Sequence, residues 1–139
     1  MGAKPDERSL REPARVAVAS LMARARAAQS QFERWPQPRV DDAALACGWA
    51  IMKPENNRLL AEMAVRDTGL GNVTDKILKN HRKTLGLLRD LAGVRTVGVI
   101  SEDDGKGITE IARPVGVVAA ITPSTNPGAT PANQIINAL

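Results

Sequence analysis

The chain of 139 residues has no tyrosine, one phenylalanine and two tryptophans, so aromatics make up only 2% of it. Any core must therefore come from Ala, Val, Ile and Leu, which bury less area each than rings do. A chain this short with such a core is marginal on its own. The one cysteine, Cys47, excludes an internal disulfide and a Cys-rich zinc site. The one histidine, His81, excludes multi-His metal sites and argues against most catalytic triads, so no metal is expected. The longest apolar run, Pro114 to Ile121, falls far short of the ~20 residues a membrane helix needs. The N-terminus is charged from Lys4 to Arg15 and lacks the apolar stretch and cleavage site of a secretory signal. Asp6 stands where a myristoylation signal wants Ser or Thr. These absences predict a soluble, cytoplasmic protein with no membrane partner.

What is present is ordinary for a globular chain: 43% hydrophobic and 24% charged residues, in a length that suits one domain at most. The net charge is +4, and residues 1–40 hold the whole excess, with eight basic and four acidic side chains. Those arginines are spaced along an Ala-rich helical pattern, which is the signature of a solvated helix face. With no basic run and no interleaved Tyr/Phe platform, no nucleic-acid partner is expected.

Residues 1–15 carry Pro5 and Pro13 without periodicity and read as a flexible tail. From Val16, the positions Val18, Leu21, Met22, Ala25, Ala28 and Phe32 recur every three or four residues and predict a helix that Pro36 and Pro38 end. Asp41 or Asp42 is placed to cap a second helix with the stripe Leu45, Gly48, Trp49 and Met52. Pro54 opens a third helix with Leu59, Leu60, Met63 and Ala64 inward, closed by Gly69 and Gly71. Asn72 caps a fourth, lined by Val73, Ile77, Thr84, Leu85, Leu88 and Leu91 and stopped by Gly93. Residues 16–93 thus form a helical region.

At Val94 the pattern turns β-branched and alternating. Arg95–Ile100 and Ile108–Ala112 flank an Asp104-Gly105 turn, a hairpin signal over residues 94–113. Val115–Ile121 is apolar on both faces, as a strand buried in a parallel sheet would be. A proline-bounded turn, Thr122 to Gly128, then leads into a helix from Ala129 to Leu139. That is half of a βαβ unit, and no later strand follows to pair with it. Residues 114–139 therefore read as an incomplete unit, truncated within the fold, and Ile135, Ile136 and Leu139 are expected to lie exposed.

Pro123-Ser124-Thr125-Asn126-Pro127, between a strand and a helix, resembles a motif of the aldehyde dehydrogenase superfamily. The longer stretch Arg113–Pro127 resembles its CoA-acylating branch. So do Asp67–Lys76 and Lys79–Thr84, and the resemblance covers roughly residues 16–139. It implies an α/β fold: N-terminal helices, an oligomerisation-type hairpin and the first βα unit of a Rossmann-like cofactor domain, truncated. It further implies oxidation of a short aldehyde, such as sulfoacetaldehyde, to an acyl-CoA. NAD or NADP would be the cofactor and coenzyme A the cosubstrate, in a homo-oligomer of the full-length protein. By motif, Asn126 takes the role of oxyanion donor, and Thr122, Pro123 and Ser124 make weaker contacts to the cofactor.

The family's nucleophilic cysteine lies in a later domain, so this chain alone is expected to be inactive. Cys47 lies one turn from an apolar stripe without a base nearby, and reads as a packed small hydrophobe. His81 sits among Lys79, Arg82 and Lys83 and reads as solvent-exposed. Ser124 has no partner histidine and no nucleophile elbow. The alternative to an enzyme is a truncated interaction or oligomerisation module whose hairpin edge pairs with another chain.

Overall fold

The structure is a computed structural model that describes residues 7–139, with side chains from Arg11 onward. The elements are α1 (Glu7–Phe32), α2 (Gln37–Met52), α3 (Pro54–Thr68), α4 (Val73–Leu91), β1 (Gly98–Asp103), β2 (Ile108–Ala112) and α5 (Ala129–Ala138). They fall into two compact units. One runs through Trp35 and takes in Pro114–Val118; the other comprises Pro36–Arg113 and Ala119–Leu139.

In the first unit α1 begins at Glu7, so the tail expected over residues 1–15 is helical from residue 7; residues 1–6 lie outside the described ones. The segment is dense in Glu, Arg, Leu and Ala, which are strong helix formers. Pro13 lies inside the helix, where it forgoes its own backbone donor and its ring crowds the carbonyl one turn earlier. Met22, Ala25 and Phe32 are half-buried as their spacing predicts, whereas Val18, Leu21 and Ala28 are exposed. Phe32 packs obliquely on Trp35, with ring centroids 5.0 Å apart.

In the second unit α4 is the common seat, touching α2, α3 and α5. The helix ends follow local chemistry. Pro36 is the extended N-cap of α2 and Pro38 lies in its first turn, where a missing N–H costs nothing. This helix therefore starts before the Asp41 or Asp42 cap expected from the sequence. Pro54 opens α3, and Gly69 closes it with a left-handed φ of 65°. The Asn72 side chain caps α4 by accepting the Asp75 N–H at 2.9 Å.

The inward faces match the expected stripes at Gly48, Ala64 and Thr84, with Met52, Leu60, Val73, Ile77, Leu88 and Leu91 half-buried, and depart from them elsewhere. The buried positions are Val40 and Gly48 on α2, Asn57, Ala61 and Ala64 on α3, and Lys76, Asn80 and Thr84 on α4. Leu45 and Trp49, expected inside, are 55% and 58% exposed, and Leu59, Met63 and Leu85 are also exposed. Small residues face inward because these helices approach closely. A Cβ added at Gly48 would stand 2.5 Å from Leu88 Cδ1.

The hairpin forms as expected: β1 and β2 are antiparallel, with an irregularity between Val99 and Ser101. Gln37 fastens its base, its side-chain oxygen accepting the Thr96 N–H at 2.7 Å and the Val97 N–H at 2.9 Å. At the tip, Asp103 accepts from the Lys106 backbone N–H and from its ammonium, at 3.0 and 2.8 Å.

The strand expected from Val115 to Ile121 is absent. Residues 113–121 have no regular secondary structure, and Val115 and Ile121 are each 90% exposed. A strand of a parallel sheet needs neighbours for its backbone donors and acceptors. The only sheet among the described residues is the β1–β2 hairpin, which does not pair with this segment. Helix α5 follows as expected, but its burial corrects one residue: Ile136 is buried with Ala129 and Ala132, while Ile135 is exposed and Leu139 half-buried. No helix among the described residues is long and apolar enough to cross a membrane.

Two outcomes follow from these contacts. Gly48→Val forces the γ-methyls against Leu88, and should cost about 1–3 kcal/mol in urea unfolding. Asp103 titrates below the ordinary carboxylate range, chiefly because the Lys106 side chain bonds it. The stability linked to this pair is thus present above the usual carboxylate pKa and lost as pH falls through the lowered one. Carboxyl NMR titration should show Lys106→Ala raising Asp103 toward its ordinary value, with the backbone N–H of residue 106 still holding it part of the way down.

Candidate functional site

Helix α4 presents Lys76, Lys79 and Asn80 at i, i+3 and i+4, on one face of one turn. Against that face lies the loop leading into α5. Its turn is closed by the Asn126 N–H to the Pro123 carbonyl at 3.4 Å, and the Thr130 N–H bonds the Asn126 carbonyl at 3.3 Å. Proline on either side of the turn restricts its backbone.

The contact below the loop is polar and buried. Asn80 donates to Asn57 Oδ1 at 3.0 Å, and Asn57 donates onward to the Ile77 carbonyl at 3.1 Å. Gly128 rests on this pair: a Cβ there would lie 3.2 Å from both polar atoms of the Asn80 amide. Glycine at 128 lets the loop settle onto Asn80, which in turn presents Asn126 to Lys79.

Lys79 Nζ donates to Asn126 Oδ1, across 47 positions of sequence. An ammonium can only donate, so the amide oxygen must face Lys79 and the NH2 must point elsewhere. Among the described residues that NH2 has no acceptor. Asn126 also lines a cleft of about 370 Å³ together with Leu70, Gly71, Asn72, Asp75, Lys76 and Thr125, with Lys79 beside it. The arrangement is an orientated amide donor at the edge of an open, basic cleft.

The other expected site residues lie apart from this cleft. Thr122, Pro123 and Ser124 are exposed, and the Thr122 hydroxyl bonds Gln134 Oε1 at 3.2 Å. For a dinucleotide these three offer an edge rather than a pocket, since no glycine-rich turn opens a helix beside them. Cys47 is half-buried on α2 and does not line the cleft. His81 is exposed, as its basic neighbours suggested. Among the described residues no cluster of His, Cys, Asp or Glu could hold a metal ion.

The family profile described as "Aldehyde dehydrogenase family" matches residues 9–139. The chain belongs to the aldehyde dehydrogenase family. Within it, the chain is 73% identical over 123 residues to a sulfoacetaldehyde dehydrogenase (acylating) of Cupriavidus necator, a match covering 88% of this chain and 25% of that protein. It is 43% identical over 122 residues to a sulfoacetaldehyde dehydrogenase of an Acholeplasma species, again with 88% and 25% covered. Among solved structures, an acetylating aldehyde dehydrogenase from Geobacillus thermoglucosidasius superposes with a TM-score of 0.83 at 38% identity, covering 88% of this chain and 26% of that one. The chain thus spans about a quarter of the length of the aldehyde dehydrogenases it matches.

Sequence reasoning singled out Asn126 and missed its partners. Lys76, Lys79 and Asn80 lay within the stretches resembling the family but carried no role there. No local signal marked them, because the expected stripe of α4 ran through Val73, Ile77 and Thr84 and its inward phase is set by what packs on it. Removing the buried partner tests the arrangement. Asn80→Ala leaves Asn57 Oδ1 without its donor, and should cost about 1–3 kcal/mol in chemical unfolding. Ser124→Ala, at an exposed hydroxyl, should shift the same curve by less than about 0.5 kcal/mol.

Proposed function

We propose that this chain is the oxyanion-donating part of a CoA-acylating aldehyde dehydrogenase whose substrate is sulfoacetaldehyde or a similar short aldehyde. The net reaction joins aldehyde, CoA thiol and NAD(P)⁺ to give acyl-CoA, NAD(P)H and a proton. A cysteine thiolate outside this chain adds to the carbonyl carbon, and the carbonyl oxygen gains negative charge as the C=O π bond breaks. The observation that supports the reading is the Asn126 amide, its oxygen held by Lys79 and its NH2 left to donate at the cleft. An amide is neutral at any working pH, so such a donor needs no proton inventory. Held in place beforehand, it pays no reorganisation as charge develops.

Thr122, Pro123 and Ser124 would contact the nicotinamide cofactor, which when bound accepts the hydride. Whether that cofactor is NAD or NADP depends on parts of the family's cofactor domain other than these three residues. Cys47 has no place in this chemistry, being on α2 and outside the cleft. The β1–β2 hairpin, with Ile100, Ile108 and Ile111 exposed, is the segment we assign to subunit contact.

The test replaces the matching quarter of the Cupriavidus necator enzyme with this chain. The hybrid should form NADH only when aldehyde and CoA are both present, whereas the 139-residue chain alone should form none. In the hybrid, Asn126→Ala should lower kcat about 10²–10³-fold. Lys79→Met should lower it less, because the amide is released to rotate rather than removed. An Asn126→Ala hybrid with unchanged kcat would sink the assignment.

A further inference from the structure

Asp75 and Lys79 stand four residues apart on α4 with the acid first, a spacing at which helices ordinarily form an ion pair. Here they do not pair. The Asp75 carboxylate takes an N–H of the Asn72 side chain at 2.6 Å, and Asn72 accepts the Asp75 backbone N–H at 2.9 Å. The Lys79 ammonium goes instead to Asn126 Oδ1, and among the described residues no carboxylate bonds it. The cap of α4 thus engages the acid that lines the cleft, while a cation sits on the amide at the cleft edge. A cation bonded to a carbonyl oxygen draws electron density from the amide nitrogen and makes its N–H groups stronger donors. A neutral group at the same place would orient the amide without that gain.

We propose that Lys79 is a positioning residue whose positive charge, and not its hold alone, strengthens the Asn126 donor through the amide. This rests on the function proposed above, in which the Asn126 NH2 receives the carbonyl oxygen. In acylation the cysteine sulfur bonds the aldehyde carbon, and the carbonyl oxygen takes up the π electron pair. Hydride then leaves that carbon for NAD(P)⁺, the C=O bond re-forms as a thioester, and the thiol proton is released. The oxygen is most negative between these two events. A stronger donor there lowers the barrier more than it tightens aldehyde binding. The difference between a charge-assisted and a neutral hydrogen bond corresponds to about 3–10-fold in rate. By holding Asp75, Asn72 keeps a carboxylate from cancelling that charge.

The experiment uses the same hybrid enzyme and reads acylation as the NADH formed from sulfoacetaldehyde before CoA is added. Three variants separate charge from hold. Lys79→Arg keeps both, Lys79→Gln keeps an N–H donor without charge, and Lys79→Met keeps neither. The rate should stay close to the parent's in Lys79→Arg and fall about 3–10-fold in Lys79→Gln, with KM for the aldehyde unchanged. Lys79→Met, which also frees the amide to rotate, should fall further. The thioester carbonyl of the acyl-enzyme, read by infrared difference spectroscopy, should stretch at higher frequency in Lys79→Gln but not in Lys79→Arg. In an Asn126→Ala background, Lys79→Gln should cost nothing further, because the charge acts through the amide. A Lys79→Gln rate level with either other variant, or a Lys79→Gln loss that persists without Asn126, would overturn the inference alone. An Asn126→Ala hybrid that keeps the parental rate overturns the functional reading, and this inference with it.

Discussion

Three residues, Asn126, Pro127 and Gly128, are held against one turn of α4 by polar contacts that small residues make room for. Gly128 lies on the Asn80 amide, and Asn80 is anchored to Asn57 on α3. That buried pair lets Lys79 meet Asn126 and leaves Lys76 facing the same cleft. The buried Asn57 and Asn80 amides would be costly without partners. Asn80 donates to Asn57, Asn57 donates to the Ile77 carbonyl, and the Lys79 ammonium satisfies the Asn126 oxygen.

The same economy of size shapes the helices around α4. With so few aromatics, the second unit buries alanines, Val40, Ile136 and Gly48, and the largest side chain wholly excluded from solvent is Thr84. Small residues allow close helix approach, so the core is thin and its fit depends on shape. Larger apolar side chains such as Leu45, Trp49 and Leu59 face outward. Nothing about their spacing distinguishes them from core residues, since they too follow a helical period.

Much of the architecture was legible because it depends on local chemistry. Pro54 at a helix start, Gly69 at a helix end, Asn72 as a cap and the Asp-Gly hairpin all formed where their backbone preferences put them. The errors arose where a local cue competed with another. Pro38 read as a helix breaker, yet in a first turn it is a helix former. Pro13 read as part of a tail, but the helix formers around it prevail. Val115–Ile121 carries the composition of an interior strand, and composition supplies no neighbouring strand to bond with.

By itself, the sequence determined the helices, the hairpin, the proline-bounded turn that carries Asn126, and a motif resemblance that named the family. These are properties of short stretches, written in period, caps and turn residues. Only the tertiary structure decided which stripe of each helix faces inward and which residues meet across 23 or 47 positions. Inward phase depends on the partner surface, and a small residue faces the core only because another helix comes close. The Lys79–Asn126 contact likewise exists because α4 and the α5 entry loop pack together, a long-range fact that no local pattern encodes.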